Sequence, residues 1–231
     1  MTLEMLMESL FAVVDIFFVG RISVNAIAVV GLTESMLTIT YSLGFGVAMG
    51  TTAMVARRVG EKDNKGASVS AVQAIYLGIL TSLPIMASGM FFAEDLLRLM
   101  GADQSVIVEG VGYTKLIFGS NLIIILLFLI NGIFRGAGDA ALAMRALWIA
   151  NGLNIILDPM LILGIGPFPE MGIEGAATAT IIGRTTGVCY QVYHLYKGKG
   201  IIKIHKENWG LKIIVITRLI KLSAGVTAQF I

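Results

Sequence analysis

The sequence predicts an all-α integral membrane protein, and three observations carry that reading. Hydrophobic residues make up 56% of the 231 residues and charged residues only 14%, against about 25% charge in an ordinary soluble domain. Mean hydropathy is +0.85. Uncharged stretches run from Ser35 to Ala56, from Gly66 to Ala93 and from Leu116 to Phe134, and none shows a clear polar face at the helical period. A helix rises about 1.5 Å per residue, so roughly 20 residues cross a hydrocarbon core about 30 Å thick. Each stretch is of that order.

Six spans follow in order, at residues 1–19, 33–56, 68–92, 113–134, 144–166 and 174–196, and a seventh begins near Leu219 and is cut off at Ile231. The first span carries Glu4, Glu8 and Asp15. At about 100° per residue these acids fall within about 40° of one another, so they form one stripe on an otherwise apolar helix and must face a polar interior. Glu4 and Glu8 lie nearer the end of the span, which makes Asp15 the stronger candidate. The second span contains GFGVAMG, which places Gly46 and Gly50 four apart. Small residues at that spacing let helices approach closely in a membrane. A phosphate loop would need a strand before it, and none is expected.

The fourth span holds Asn121 and, near its inner end, Asn131. The fifth contains NIILDPMLILG, in which Asp158 is the lone charge between Ala146 and Pro169. Asn154 and Asp158 are four apart and share a helix face, with Asn151 on the same side. Pro159 lacks an N–H and clashes with the carbonyl of Ile155, so a polar, bendable point is expected in mid-span. The sixth span brings Thr178, Thr180 and a near-central Arg184, whose guanidinium requires an interior acid or an aqueous cavity. Carboxylate, amide and hydroxyl oxygens suit a hard cation such as Na+. A simple hydrogen-bonding role between helices is the alternative for Asn121 and Asn151.

The connecting pieces set the orientation. Arg57, Arg58, Lys62, Lys65, Arg135, Arg145, Lys197, Lys199, Lys203, Lys206, Lys212, Arg218 and Lys221 fall on one side, which is thirteen of the seventeen basic residues. Arg21, Arg98 and Lys115 fall on the other. Basic loops favour the cytoplasm, so the first span runs outward. The basic piece after the sixth span is partly amphipathic and suits a linker along the inner surface.

Several classes are disfavoured. A net charge of +2 does not suggest a nucleic-acid partner. The lone Cys189 cannot form an internal disulfide, and no zinc-type Cys/His spacing occurs. His194 and His205 fall at or beyond the inner end of the sixth span. No nucleophile constellation appears, so no enzymatic activity and no cofactor is expected.

Four segments in order, VVDIFFVGRISVNAIAVVGL, GFGVAMGTTAMVARRVGEKD, NGIFRGAGDA and NGLNIILDPMLILGIGPFPEMGIEGAATAT, resemble the multidrug and toxic compound extrusion (MATE) transporters. The resemblance covers nearly the whole chain. It implies the amino-terminal six-helix lobe of a twelve-helix antiporter, residues 1–196, then a cytoplasmic basic linker, 197–218, then the truncated seventh helix opening a second lobe, 219–231. It implies export of cationic or amphiphilic small molecules in exchange for Na+ or H+ across a bacterial or archaeal plasma membrane. The family's cation and coupling positions fall on Asp15, Asn131, Asn154, Asp158 and Thr180, with Thr178 close enough to compete with Thr180. Na+ would be held at Asp15, Asn154, Asp158 and Thr180, and Glu8, Thr178 and Arg184 would extend the polar cavity. The implied partners are a small-molecule substrate, the bilayer and the missing carboxy-terminal lobe, or less readily a second half-transporter. A flippase for lipid-linked saccharides of the same superfamily is the alternative. It would call for a broad basic groove, whereas the expected interior carries more acid than base.

Overall fold

In a bilayer each backbone N–H and C=O must be satisfied within the chain, and helices do this segment by segment. The computed structural model describes residues 2–197 and 200–227. Lys199, residues 228–231 and the side chains of Glu4 and Lys206, used in the expectations above, lie outside the described residues. The helices are α1 (Thr2–Val19), α2 (Val24–Gly60), α3 (Asn64–Leu99), α4 (Gln104–Gly119), α5 (Asn121–Gly136), α6 (Ala140–Ile162), α7 (Ile173–Lys197) and α8 (Ile213–Thr227), with a short 3-10 turn at Lys206–Trp209 before α8. No strand occurs among the described residues.

The helix starts are written in the loops. Ser23 Oγ accepts from the Ala26 amide at 2.9 Å, Asp63 Oδ1 from Gly66 at 2.8 Å and Asp139 Oδ1 from Leu142 at 3.1 Å. Each side chain satisfies an amide that the first helical turn leaves without a partner. Along the helices many large apolar side chains face outward, among them Phe91 at 79% exposure, Leu80 at 66% and Val13 at 64%. A surface of that kind requires an apolar solvent. Among the described residues α2, α3 and α6 are long and apolar enough to cross a membrane, and α4 with α5 qualify as a pair.

Four boundaries differ from the sequence reading. The second helix starts at Val24, well before residue 33, and the third runs on through AEDLLRL to Leu99, because hydropathy marks the membrane and not the helix. The fourth span is broken at Ser120 into α4 and α5, bent by 41°. The last helix begins at Ile213 and not near Leu219. Pro159 does not sit in mid-helix. α6 ends at Ile162, one turn beyond it, and Gly164 then takes φ +66 in the left-handed region. A Cβ there would be strained and would meet the Glu170 amide at 2.8 Å. The helix thus runs through the proline into its last turn and stops before the glycine.

The chain forms two compact units, each drawing on several helices. The first comprises Met1–Thr38, Pro84–Asn121 and Leu147–Thr186, and the second Ile39–Leu83, Leu122–Ala146 and Gly187–Ile231. In the first, Thr33 and Thr114 hydroxyls bond at 2.9 Å, and Ser23 donates to Glu109. In the second, a core including Val55, Val72, Leu129, Ile133 and Leu195 is closed by a near-contact of backbones. A Cβ on Gly132 would lie 2.6 Å from the Ala48 carbonyl oxygen, and Thr52 donates to the Gly132 carbonyl at 3.0 Å.

The segment before α8 is fastened to α3 within the second unit. Gln73, fully buried, donates from Nε2 to the Gly210 carbonyl at 3.0 Å and accepts from the Lys212 amide at 2.8 Å, while Tyr76 donates to the Trp209 carbonyl at 2.9 Å. Removing Gln73 leaves two backbone groups without partners, at about 1–3 kcal/mol each when buried. Gln73→Ala is therefore expected to speed limited proteolysis between residues 200 and 212 several-fold, read by mass spectrometry of the fragments. Cleavage at the parental rate would show that the clamp does not hold the segment.

Candidate cation site

The site grows from the spacing noted in the fifth span. Asn154 and Asp158, one helical turn apart on α6, are both buried, at 2% and 0% exposure. Asn154 Nδ2 donates to Asp158 Oδ1 at 3.3 Å and to Thr180 Oγ1 on α7 at 3.0 Å. Both amide hydrogens are thereby spent. Thr178 instead donates to the Glu174 carbonyl on its own helix at 2.8 Å.

The α6–α7 approach is close because two glycines permit it. A Cβ on Gly183 would lie 2.4 Å from the Ala150 carbonyl oxygen, and one on Gly175 would lie 2.6 Å from the Leu161 carbonyl. At that separation a short amide and a hydroxyl can meet across the pair.

Asp15, on α1, belongs to the same unit and is buried. Burial is the main influence on both acids, and each is within electrostatic reach of a further charge, Asp158 of Asp15 and Asp15 of Glu34 and Arg184. Arg184 Cζ also stands 5.9 Å from the centre of the Phe11 ring, a cation–π approach.

Among the described residues four acceptor oxygens in this unit are buried without a hydrogen-bond partner, Asn121 Oδ1 at the α4–α5 bend and Asp15 Oδ1, Asn154 Oδ1 and Asp158 Oδ2. An unsatisfied buried polar atom costs about 1–3 kcal/mol, and more when charged. Oxygens of this kind accept from a positive partner or a proton. The site's donors are carboxylate, amide and hydroxyl oxygens, and no group of three His, Cys, Asp or Glu occurs among the described residues. That is the chemistry of a hard cation or a proton, not of a thiolate- or imidazole-loving metal.

The remaining candidates are placed as follows. Glu8 is half-buried on α1, and Asn151 is buried with its Nδ2 unpartnered. Asn121, fully buried at the bend after Ser120, has neither side-chain atom bonded. Asn131 lies in the second unit, where its Oδ1 accepts from Gln191 Nε2 at 2.6 Å. Two buried or interacting polar residues escaped the sequence reading, one in each unit. Glu34 stands at the edge of an uncharged stretch, where it passes for a boundary marker. Gln191 lies in a span already crowded with hydroxyls, and only its i,i+7 relation to Arg184 on α7 hinted at an inward face.

Comparison with known proteins agrees with this architecture. The family model described as MatE matches residues 1–160. The chain is 31% identical over 171 residues to the FAD transporter of Shewanella oneidensis, covering 74% of this chain and 38% of that protein. It is 30% identical over 199 residues to the probable multidrug resistance protein NorM of Thermotoga maritima, covering 84% and 42%. Among solved structures, a MOP superfamily transporter from Pyrococcus furiosus superposes with a TM-score of 0.90 at 27% identity, covering 99% of this chain and 50% of that one. The work on that transporter concluded that the reverse polarity of its binding pocket suggests a different function. The chain spans about half the length, or somewhat less, of the proteins it matches.

Proposed function

The chain belongs to the MatE family, and from that premise we propose that it is the amino-terminal lobe of a secondary active antiporter that exports cationic or amphiphilic small molecules in exchange for Na+ or H+. The observation that carries this reading is the set of three unpartnered buried oxygens on Asp15, Asn154 and Asp158. Two carboxylates close together in a low-dielectric interior repel unless a cation or a proton joins them. Arrival of that cation removes the repulsion and favours a different packing of the helices that carry the acids. A coupling ion does work only through such a difference in affinity between two states. Asn154 orients Asp158, and Thr180 fixes Asn154. Arg184 supplies a tethered positive charge that acts on Asp15 while the coupling ion is away.

The cargo follows from the sign of the interior charge. Asp15 and Asp158 outnumber Arg184, which suits a cation better than a polyanion such as FAD, the compound for which one similar protein is named. The basic end of α2 and the basic segment before α8 support a cytoplasmic position for those ends in a prokaryotic plasma membrane. The second lobe of the same polypeptide completes the cargo cleft.

Calorimetry of Na+ binding to the purified full polypeptide, repeated over a pH series, tests the site. Asp15→Asn and Asp158→Asn are each expected to weaken binding roughly tenfold, with effects that do not add, because both act on one ion. Displacement of Na+ by acid would show the two cations competing for the same oxygens. Parental affinity in both variants would remove the site from the coupling mechanism.

A further inference from the structure

The second unit contains a groove of about 470 Å³ between the end of α2 and α8, and its lining plays no part in the antiport mechanism above. Arg57, Arg58, Arg218 and Lys221 stand around it with a single acid, Glu61. That acid is already engaged. Arg57 Nε donates to it at 2.9 Å, and Arg58 Nη1 lies 3.7 Å from its other oxygen. Arg58 also donates to Asp63 at 3.1 Å. Arg218 and Lys221 make no ion pair among the described residues. They are three apart on α8 and so share one face, turned to the groove.

The rest of the lining is apolar: Ala53 and Met54 one turn back along α2, and Val215 and Leu222 on α8. Around the groove α8 continues this character, with Ile214, one turn before Arg218, at 71% exposure and Leu222 also exposed. Two uncompensated cations, two partly engaged guanidiniums and a bordering apolar surface therefore meet at one place. The basic bias of these helix ends puts that place at the inner leaflet, whose anionic lipids attract basic residues. Guanidinium forks match phosphate oxygens in pairs, and the apolar residues match the first carbons of an acyl chain. A soluble anion satisfies the charges but leaves the exposed Leu222 at the rim of the groove without a partner. We infer that this groove binds the phosphate headgroup of an anionic phospholipid of the cytoplasmic leaflet, with Arg218 and Lys221 as its main contacts.

Native mass spectrometry of the full polypeptide, released from micelles holding phosphatidylglycerol and phosphatidylcholine, reads the binding without any transport assay. Its outcome is therefore independent of the antiport reading. Phosphatidylglycerol is expected to be retained in preference, and Arg218→Gln with Lys221→Gln is expected to lower that retention about tenfold. Arg218→Lys with Lys221→Arg should keep both the retention and the elution profile. In the unaltered protein a photoactivatable phosphatidylglycerol should crosslink within residues 213–222, a readout that does not depend on how the variants fold. Equal retention of the two lipids, crosslinks elsewhere, or indifference to the double glutamine variant would overturn the site. So would competition by inorganic phosphate at the same concentration as the lipid, which would make the groove a soluble-anion site. A Leu222→Cys crosslink to a later part of the same polypeptide would show that protein, not lipid, fills it.

Discussion

Asp158→Asn is expected to lower coupled efflux by roughly 100-fold in vesicles while insertion and abundance stay at parental levels. The residue is fully buried, and its Oδ2 has no partner. Its Oδ1 accepts from Asn154, and Asp15 is within electrostatic reach. An amide at this position keeps the volume and an acceptor oxygen, so packing changes little. It cannot gain or lose a charge, so the repulsion with Asp15 that a cation relieves is gone, and with it the difference between the two states. Efflux driven by an imposed Na+ or proton gradient should fall to the level of passive leak. Asn121→Ala is the control: it is equally buried but not among the oxygens around Asp158, and a mild defect is expected. If Asp158→Asn supports parental efflux, its carboxylate is structural.

The second large effect is steric. Gly183→Ala is expected to destabilise the protein by about 1–3 kcal/mol, because the new methyl would stand 2.4 Å from the Ala150 carbonyl oxygen, a backbone atom that cannot step aside alone. Gly175→Ala meets the Leu161 and Ile162 backbone and should behave alike. Either substitution pushes α7 from α6 and stretches the Asn154–Thr180 bond of 3.0 Å. The thermal midpoint in detergent should fall, and Na+ affinity should fall with it. Gly152→Ala is the reference, since nothing lies within 4 Å of a Cβ there. It should be neutral or slightly stabilising through loss of chain freedom in the unfolded state. Equal midpoints for Gly183→Ala and Gly152→Ala would mean that the helices separate without cost.

The parts of this protein that could be read from sequence are those governed by local spacing and by the price of a buried charge. Asn154 and Asp158 are one helical turn apart wherever the helix sits, so their shared face was readable. A lone carboxylate in an apolar run is costly in any membrane, which singled out Asp158 and Asp15 before any packing was known. The family resemblance added Thr180, which the bond from Asn154 reaches. What depended on packing was hidden. Glu34 looked like the edge of a span, because hydropathy cannot tell a helix that continues into the polar zone from one that stops. Gln191 and Asn131 are far apart in the chain, and nothing local announces that they pair. The bend at Ser120 lies in a run without proline or charge, with only Gly119, Ser120 and Asn121 in succession to hint at it. Pro159 misled for the opposite reason. A proline states that a helix is disturbed, but not that the helix ends within a turn of it.

The length of α2 has a mechanical consequence. At about 1.5 Å per residue, its 37 residues make a rod of roughly 55 Å. The hydrocarbon core is only about 30 Å thick, so a large part of the rod extends beyond it. Pivoted near its centre and tilted by about 20°, an ordinary inclination for a membrane helix, such a rod carries each tip sideways by roughly 9 Å. α3 is almost as long, with 36 residues, but Phe92 leaves helical geometry at φ −120 and ψ 21, so it does not act as one stiff arm to its end. α2 contains no such interruption. It is a lever with the fulcrum inside the bilayer, and each degree of added tilt carries a tip by roughly 0.5 Å.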